Sequence, residues 1–268
     1  MGRKKFLLAI LFAVLVIFEP LSASAENFKD FSDFNAKEFY RSLSKRLGKK
    51  RADYPALSDS EFANFRMVRT SGITEGRLYR SSSPVSDWSE RYEFAAMAAA
   101  SAGVKTIINL ADSDESLKSQ KGYPGSYYSQ QNVIALNVNT KYKSKRFKTG
   151  LARGIHFMAV NDPPYLVHCS LGKDRAGFVI ALIECFAGAS LQEVERDNML
   201  SFYNYFGILP GSREYDFVLN CEIYRFLCEA FGVQKLEGIN LSDAAERFFL
   251  KIGVSVKDIE TLRKKLSS

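Results

Sequence analysis

The strongest constraint on the fold is an alternation in the middle of the chain. Short β-branched or apolar runs at residues 104–110, 133–138 and 165–168 are separated by stretches with helical apolar spacing, such as residues 145–160. Runs this short and this apolar suit strands buried on both faces, and strands that alternate with helices pair in parallel. Helical patterns then take over, at residues 176–187, 191–202, 213–231, 241–252 and 256–266. An Ala-rich helix is expected at 88–102. Residues 61–80 read as irregular or short-stranded, with turns at Ser71-Gly72 and Glu75-Gly76. The expected class is α/β: a small, largely parallel central sheet flanked by helices, with a helical C-terminal third.

The amino terminus obeys a different rule. Arg3, Lys4 and Lys5 precede an apolar run from Phe6 to Phe18, and Ala23-Ser24-Ala25 offers a small-residue cleavage site. This is the layout of a signal peptide over residues 1–25. The run is short for a membrane span of about 20 residues, so no stable span is expected after cleavage. A secreted or periplasmic product follows. Residues 26–60 are polar and basic with scattered aromatics, and read as a partly helical flank wrapping a domain at 61–268. The whole chain carries a formal net charge of +7, which suits anionic substrates without identifying one.

Four cysteines in an exported chain invite a disulfide framework. Cys221 and Cys228 are spaced about 10 Å along an expected helix, more than a disulfide spans. Cys185 lies in an apolar helical run and reads as a core residue. Cys169 differs because of its neighbours.

Those neighbours are His168-Cys169-Ser170-Leu171-Gly172-Lys173-Asp174-Arg175-Ala176-Gly177, between the third expected strand and an apolar helix. Ligands in α/β folds sit at the carboxyl ends of strands, and a helix N-terminus there attracts anions. The loop from Cys169 to Arg175 can curl into a cup of N–H donors, with Gly172 supplying the backbone freedom. Arg175 can hold two phosphate oxygens with its planar fork. Cys169, at the bottom of that positive field, is placed to attack phosphorus as a thiolate. A bare Cys-x5-Arg would occur by chance in about one chain in five with four cysteines. The His, the Gly and the strand–loop–helix setting make this one specific.

The loop resembles the phosphate-binding loop of the protein tyrosine phosphatase superfamily. Its Gly-Lys-Asp-Arg variant is similar to that of bacterial secreted tyrosine or dual-specificity phosphatases, some of which also act on phosphoinositides. Asn64-Phe65-Arg66, Leu78-Tyr79-Arg80-Ser81-Ser82 and Thr106-Ile107-Ile108-Asn109-Leu110 resemble other stretches of those enzymes. The resemblance implies a phosphatase domain at 61–268 with no cofactor and no metal. Its substrate would be a phosphorylated protein, lipid or inositol phosphate, not nucleic acid. Cys169 is then the nucleophile and Arg175 the clamp, and residues 170–175 hold phosphate. His168 supports the loop and tunes the thiolate. Lys173 resembles a lysine found where substrates are highly charged.

Two departures follow from the same resemblance. Ala176 replaces the usual Ser or Thr whose hydroxyl assists the second step. The stretch 139–146, where a distal acid is common, has no carboxylate. Asp174 is the first candidate for the acid and Asp112 the second; Asp162 reads as a turn residue. The basic run at 141–148 reads equally as a docking surface or a solvated loop. Arg66, Arg69 and Arg80 read as pocket-lining or as packing residues. Sulfurtransferases and arsenate reductases also place a thiolate in an anion loop, but sulfurtransferase loops lack this dress. A non-catalytic phosphate-binding module of the same fold is the other alternative.

Overall fold

A computed structural model describes residues 31–268. The expected signal peptide lies outside the described residues.

Five strands form one sheet: β1 (Arg66–Met67), β2 (Leu78–Ser81), β3 (Thr106–Asn109), β4 (Asn132–Ala135) and β5 (Tyr165–His168). Their order is β1-β2-β5-β3-β4, antiparallel only between β1 and β2. The central strand β5 therefore ends at His168 between Ser81 and Asn109. Every residue of β2, β3 and β5 is buried, as a sheet covered on both faces requires.

The two-residue period divides the side chains between two apolar layers. Leu78, Ile108, Tyr165 and Val167 face the larger layer, built around α6 (Asp174–Ala187). Tyr79, Ile107 and Leu166 face the smaller one, with Ala99 of α3 (Arg91–Ser101) and Leu117 of α4 (Asp114–Lys118). α5 (Lys145–Val160) packs Phe147, Leu151, Ile155 and Met158 into the larger layer.

The helical remainder comprises α7 (Leu191–Phe206), α8 (Arg213–Leu219), α9 (Arg225–Phe231), α10 (Leu241–Lys251) and α11 (Val256–Ser267). Ser144, Ser190, Ser212 and Ser255 cap α5, α7, α8 and α11 through their hydroxyls, each cap contributing about 1 kcal/mol.

Two expectations need correction. The helix expected at 213–231 is divided by a π turn at Asn220–Tyr224. The strand expected to reach Val138 ends at Ala135: Leu136 and Val138 still donate to Asn109 O and Leu110 O, but Asn137, at φ 45, leaves the extended conformation between them. Residues 61–80 are short-stranded as expected, with β1 and β2, and a short helix α2 (Asp59–Phe62) precedes them.

The flank is helical in part, as expected. α1 (Ala36–Arg46) sends Ala36, Phe39 and Leu43 into a third apolar cluster with Phe202, Phe206, Phe217 and Leu171. Leu171 belongs to the Cys169 loop, so the flank and the loop share one apolar cluster.

Candidate active site

The loop leaves the carboxyl end of β5 and enters α6 at Asp174. Its carbonyls are turned outward into the scaffold. Ser170 O accepts from Ser83 N–H at 3.2 Å. Leu171 O accepts from Asn64 Nδ2 at 3.1 Å and from the Tyr205 hydroxyl at 2.7 Å. Gly172 O accepts from Arg80 Nη2 at 2.8 Å. A planar trans peptide points its N–H opposite to its carbonyl, so the N–H groups of Leu171, Gly172 and Lys173 face inward. Among the described residues, nothing accepts from the N–H groups of residues 170–175. The result is an anion nest at a helix N-terminus.

Two features hold this shape. Gly172 has φ +69, and a Cβ there would lie 2.1 Å from Ser81 O and 2.3 Å from Ser81 C. Only glycine allows the loop to lie against β2. Arg80 is fully buried and pairs with Asp197, which also pairs with Arg66 at 2.7 Å. Burial pushes the Asp197 carboxyl up, but the two guanidiniums outweigh it and hold the group below the ordinary carboxylate range. Arg66 and Arg80 are therefore scaffold residues and do not line the cup.

Cys169 is 2 % exposed, at the start of the loop. Arg175 is half-buried beside it. Its Nη1 donates to Leu110 O at 3.3 Å and Val138 O at 3.2 Å, and its Nη2 donates to Ser170 Oγ at 2.9 Å. Of five guanidinium hydrogens, Nε–H and one on Nη2 remain without a partner among the described residues. These are adjacent donors, suited to two oxygens of one phosphate.

His168 lies fully buried under the loop, its Nδ1 3.3 Å from Cys169 O and its Nε2 2.7 Å from the Tyr128 hydroxyl. A carbonyl can only accept, so Nδ1 carries the proton and Nε2 accepts from Tyr128. Burial pushes the imidazole down to about 4. His168 is neutral at neutral pH and acts on Cys169 by fixing its carbonyl, not by charge.

The carboxylates separate clearly. Asp174 is half-buried at the first position of α6 and paired with Lys173. Asp112 accepts from Asn109 Nδ2 at 3.0 Å, Gln120 Nε2 at 3.0 Å and Ser116 Oγ at 3.3 Å. Those bonds tie it into the turn after β3 and leave it poorly placed to carry a mobile proton. Asp162 lies at the other end of β5 and pairs with Lys265 at 3.0 Å, a turn residue as expected. Lys173 departs from expectation. Its ammonium is buried against Asp174 and 4.3 Å above the Phe202 ring centroid, turned away from solvent.

The sequence model of the tyrosine phosphatase family matches residues 61–206, more than half of the chain. The chain belongs to the tyrosine phosphatase family. This phosphatase matches no curated protein. Among solved structures it is similar to the core catalytic domain of the PP-IP phosphatase SIW14 from S. cerevisiae, in complex with citrate. The identity is 14%, over 69% of this chain and 98% of that one, with a TM-score of 0.34.

The phosphatase also depends on residues that sequence reasoning missed. Asp197, Ser201, Asn204 and Tyr205 line one face of α7 and hold the loop: Tyr205 directly, Ser201 and Asn204 through Asn64, and Asp197 through Arg80. Asn64 itself adopts φ 50 and uses both ends of its amide, accepting from Arg66 and Asn204 and donating to Leu171 and Ser201. The available signal was the polar stripe at 197, 201, 204 and 205, spaced for one helical face.

Proposed function

We propose that this phosphatase hydrolyses phosphomonoesters through a cysteinyl-phosphate on Cys169. The observation that carries the reading is the cup itself: inward N–H groups of the loop and two open donors of Arg175 surround one buried thiol. The phosphate oxygens accept from those donors, whose directions are set before substrate arrives. Cys169 Sγ forms the S–P bond as the P–O bond to the leaving group breaks. Asp174, at the mouth of the cup, gives the leaving oxygen its proton. Water then cleaves the S–P bond. Ala176, fully buried, has no hydroxyl to orient that water, so the second step is the slower one.

Its substrates are phosphotyrosine, phosphoinositides or inositol phosphates. The basic residues Lys141, Lys143, Lys145, Arg146 and Lys148 support this range. They follow Val138 in the chain, whose carbonyl accepts from Arg175. Residues 1–25 direct export, to the periplasm or beyond, residues 26–60 form a flank, and 61–268 form the catalytic domain. Among the described residues no helix is long and apolar enough to cross a membrane.

The test is a substrate panel on residues 26–268: phosphotyrosine peptides, phosphoinositides and inositol hexakisphosphate. The reading expects turnover of at least one class. Phosphate binding without turnover of any phosphomonoester would favour a binding module.

A further inference from the structure

One turn along α6 from the cup, three aromatic rings meet. Phe178 follows Arg175 by three positions and so shares its face of the helix. The Tyr142 ring, in the turn before α5, lies 4.5 Å from the Phe178 ring and 4.5 Å from the Phe226 ring of α9, centroid to centroid. The Phe178 and Phe226 rings are 5.6 Å apart. A fourth ring, Phe248 of α10, faces the same space without joining the group; among the described residues its ring contact is with Phe249.

All four rings line one cavity of about 140 Å³. Drug-sized ligands occupy about 300 Å³ or more, so this space takes a smaller body. An apolar cavity of about 150 Å³ stays dry and holds benzene. Size and lining therefore fit a single aromatic ring, which gains edge-on or offset contacts with the rings around it.

The rim of the cavity is cationic. Lys143, Lys148 and Lys251 border it, against one carboxylate, that of Glu229. Lys143 pairs with Glu229 at 3.3 Å and ties the turn to α9. The ammonium groups of Lys148 and Lys251 have no partner among the described residues. A lysine that lines an apolar wall does so with its methylene stem and keeps its ammonium in water. Two open cations thus stand at the mouth of a ring-sized apolar hole. A neutral ring would leave the cations unused, and a bare anion such as phosphate would leave the hole unfilled.

We propose that this cavity binds a small aryl acid, one aromatic ring carrying a carboxylate on a short chain. The ring lies among Tyr142, Phe178, Phe226 and Phe248, and the carboxylate meets Lys148 and Lys251. The site is distinct from the phosphate cup, since neither Cys169 nor Arg175 lines it. It adjoins the cup through Phe178 and through Tyr142, which is four residues beyond the Val138 carbonyl that accepts from Arg175. α9 and α10 lie beyond residue 206, where the match to the family ends. Two of the helices that build the site are therefore outside the matched stretch.

The test is an NMR titration of residues 26–268 with phenylpropionate, in saturating inorganic phosphate so that the cup is filled. The expected result is one saturable site with a Kd of about 1 mM or tighter, and with shifts at the Phe226 and Phe248 rings. Phenylpropionamide, which keeps the ring and loses the charge, should bind about fivefold more weakly. Propionate, which keeps the charge and loses the ring, should bind at least about tenfold more weakly. Replacing both Lys148→Ala and Lys251→Ala should bring the acid down to the affinity of the amide and leave the amide unchanged. Phe248→Trp fills the cavity and should abolish binding of both. If that core change lowers Tm below the assay temperature, the double lysine variant at the rim decides. No saturable shift up to about 10 mM, an amide that binds as tightly as the acid, or an acid affinity unmoved in the double lysine variant would each overturn the inference. None of these outcomes bears on turnover at Cys169.

Discussion

Replacing Gly172 by alanine tests how the loop is built. Gly172 has φ +69, a region that costs an L-residue about 1–2 kcal/mol. The added methyl would meet Ser81 O at 2.1 Å, Ser81 C at 2.3 Å and Ser82 N at 2.8 Å. All three are backbone atoms of a central strand and its end, so the loop must move instead. Moving it breaks the 2.8 Å bond from Arg80 to Gly172 O, leaving a buried charged donor short of a partner at about 1.5–3 kcal/mol. The total is about 2.5–5 kcal/mol. For a chain of this size each kcal/mol lowers Tm by about 2–4 °C, so a fall on the order of 10 °C is expected. A loop displaced by about 1 Å loses about 100-fold in kcat/KM. Thermal unfolding and p-nitrophenyl phosphate hydrolysis read both effects. Gly188→Ala is the control: φ +108 but nothing within 4 Å of the added Cβ, so its activity should stay within about twofold. A Gly172→Ala variant with wild-type activity and a Tm within about 2 °C of wild type would refute the reasoning.

Three further outcomes follow from the site. Asp174→Asn should slow phenyl phosphate far more than p-nitrophenyl phosphate; an equal loss would assign Asp174 a structural role. His168 titrates at about 4 in the folded chain and near 6.5 unfolded, so the unfolded chain binds more protons between these values. Stability from this residue is complete above about pH 6.5 and declines by about 3 kcal/mol as pH falls to 4; urea midpoints should show this slope, and His168→Gln should flatten it. Ala176→Ser should raise kcat if the second step limits turnover, with a pre-steady-state burst of p-nitrophenol in the wild type that shrinks in the variant.

The strand–loop–helix unit was legible because each of its parts has a local cause. Residues 165–168 are apolar enough for a buried strand, Gly172 marks the turn, and the run from Ala176 to Ala187 is buried almost throughout. Residues whose roles depend on distant partners were not legible. Arg80 and Asp197 are 117 positions apart. The direction of Lys173 was not legible for the same reason: its position between Gly172 and Asp174 says nothing of the Phe202 ring beneath it. The π turn escaped as well, since one inserted residue barely disturbs the apolar pattern of residues 213–231.

The central claim is a covalent phosphoryl group on Cys169. Acid-quenching residues 26–268 during hydrolysis of p-nitrophenyl phosphate, followed by peptide mass analysis, tests it most directly. The account predicts one added phosphoryl group on the peptide containing Cys169, absent from Cys169→Ser, which should bind inorganic phosphate but not turn over. Hydrolysis that proceeds without that adduct and survives Cys169→Ser would contradict it.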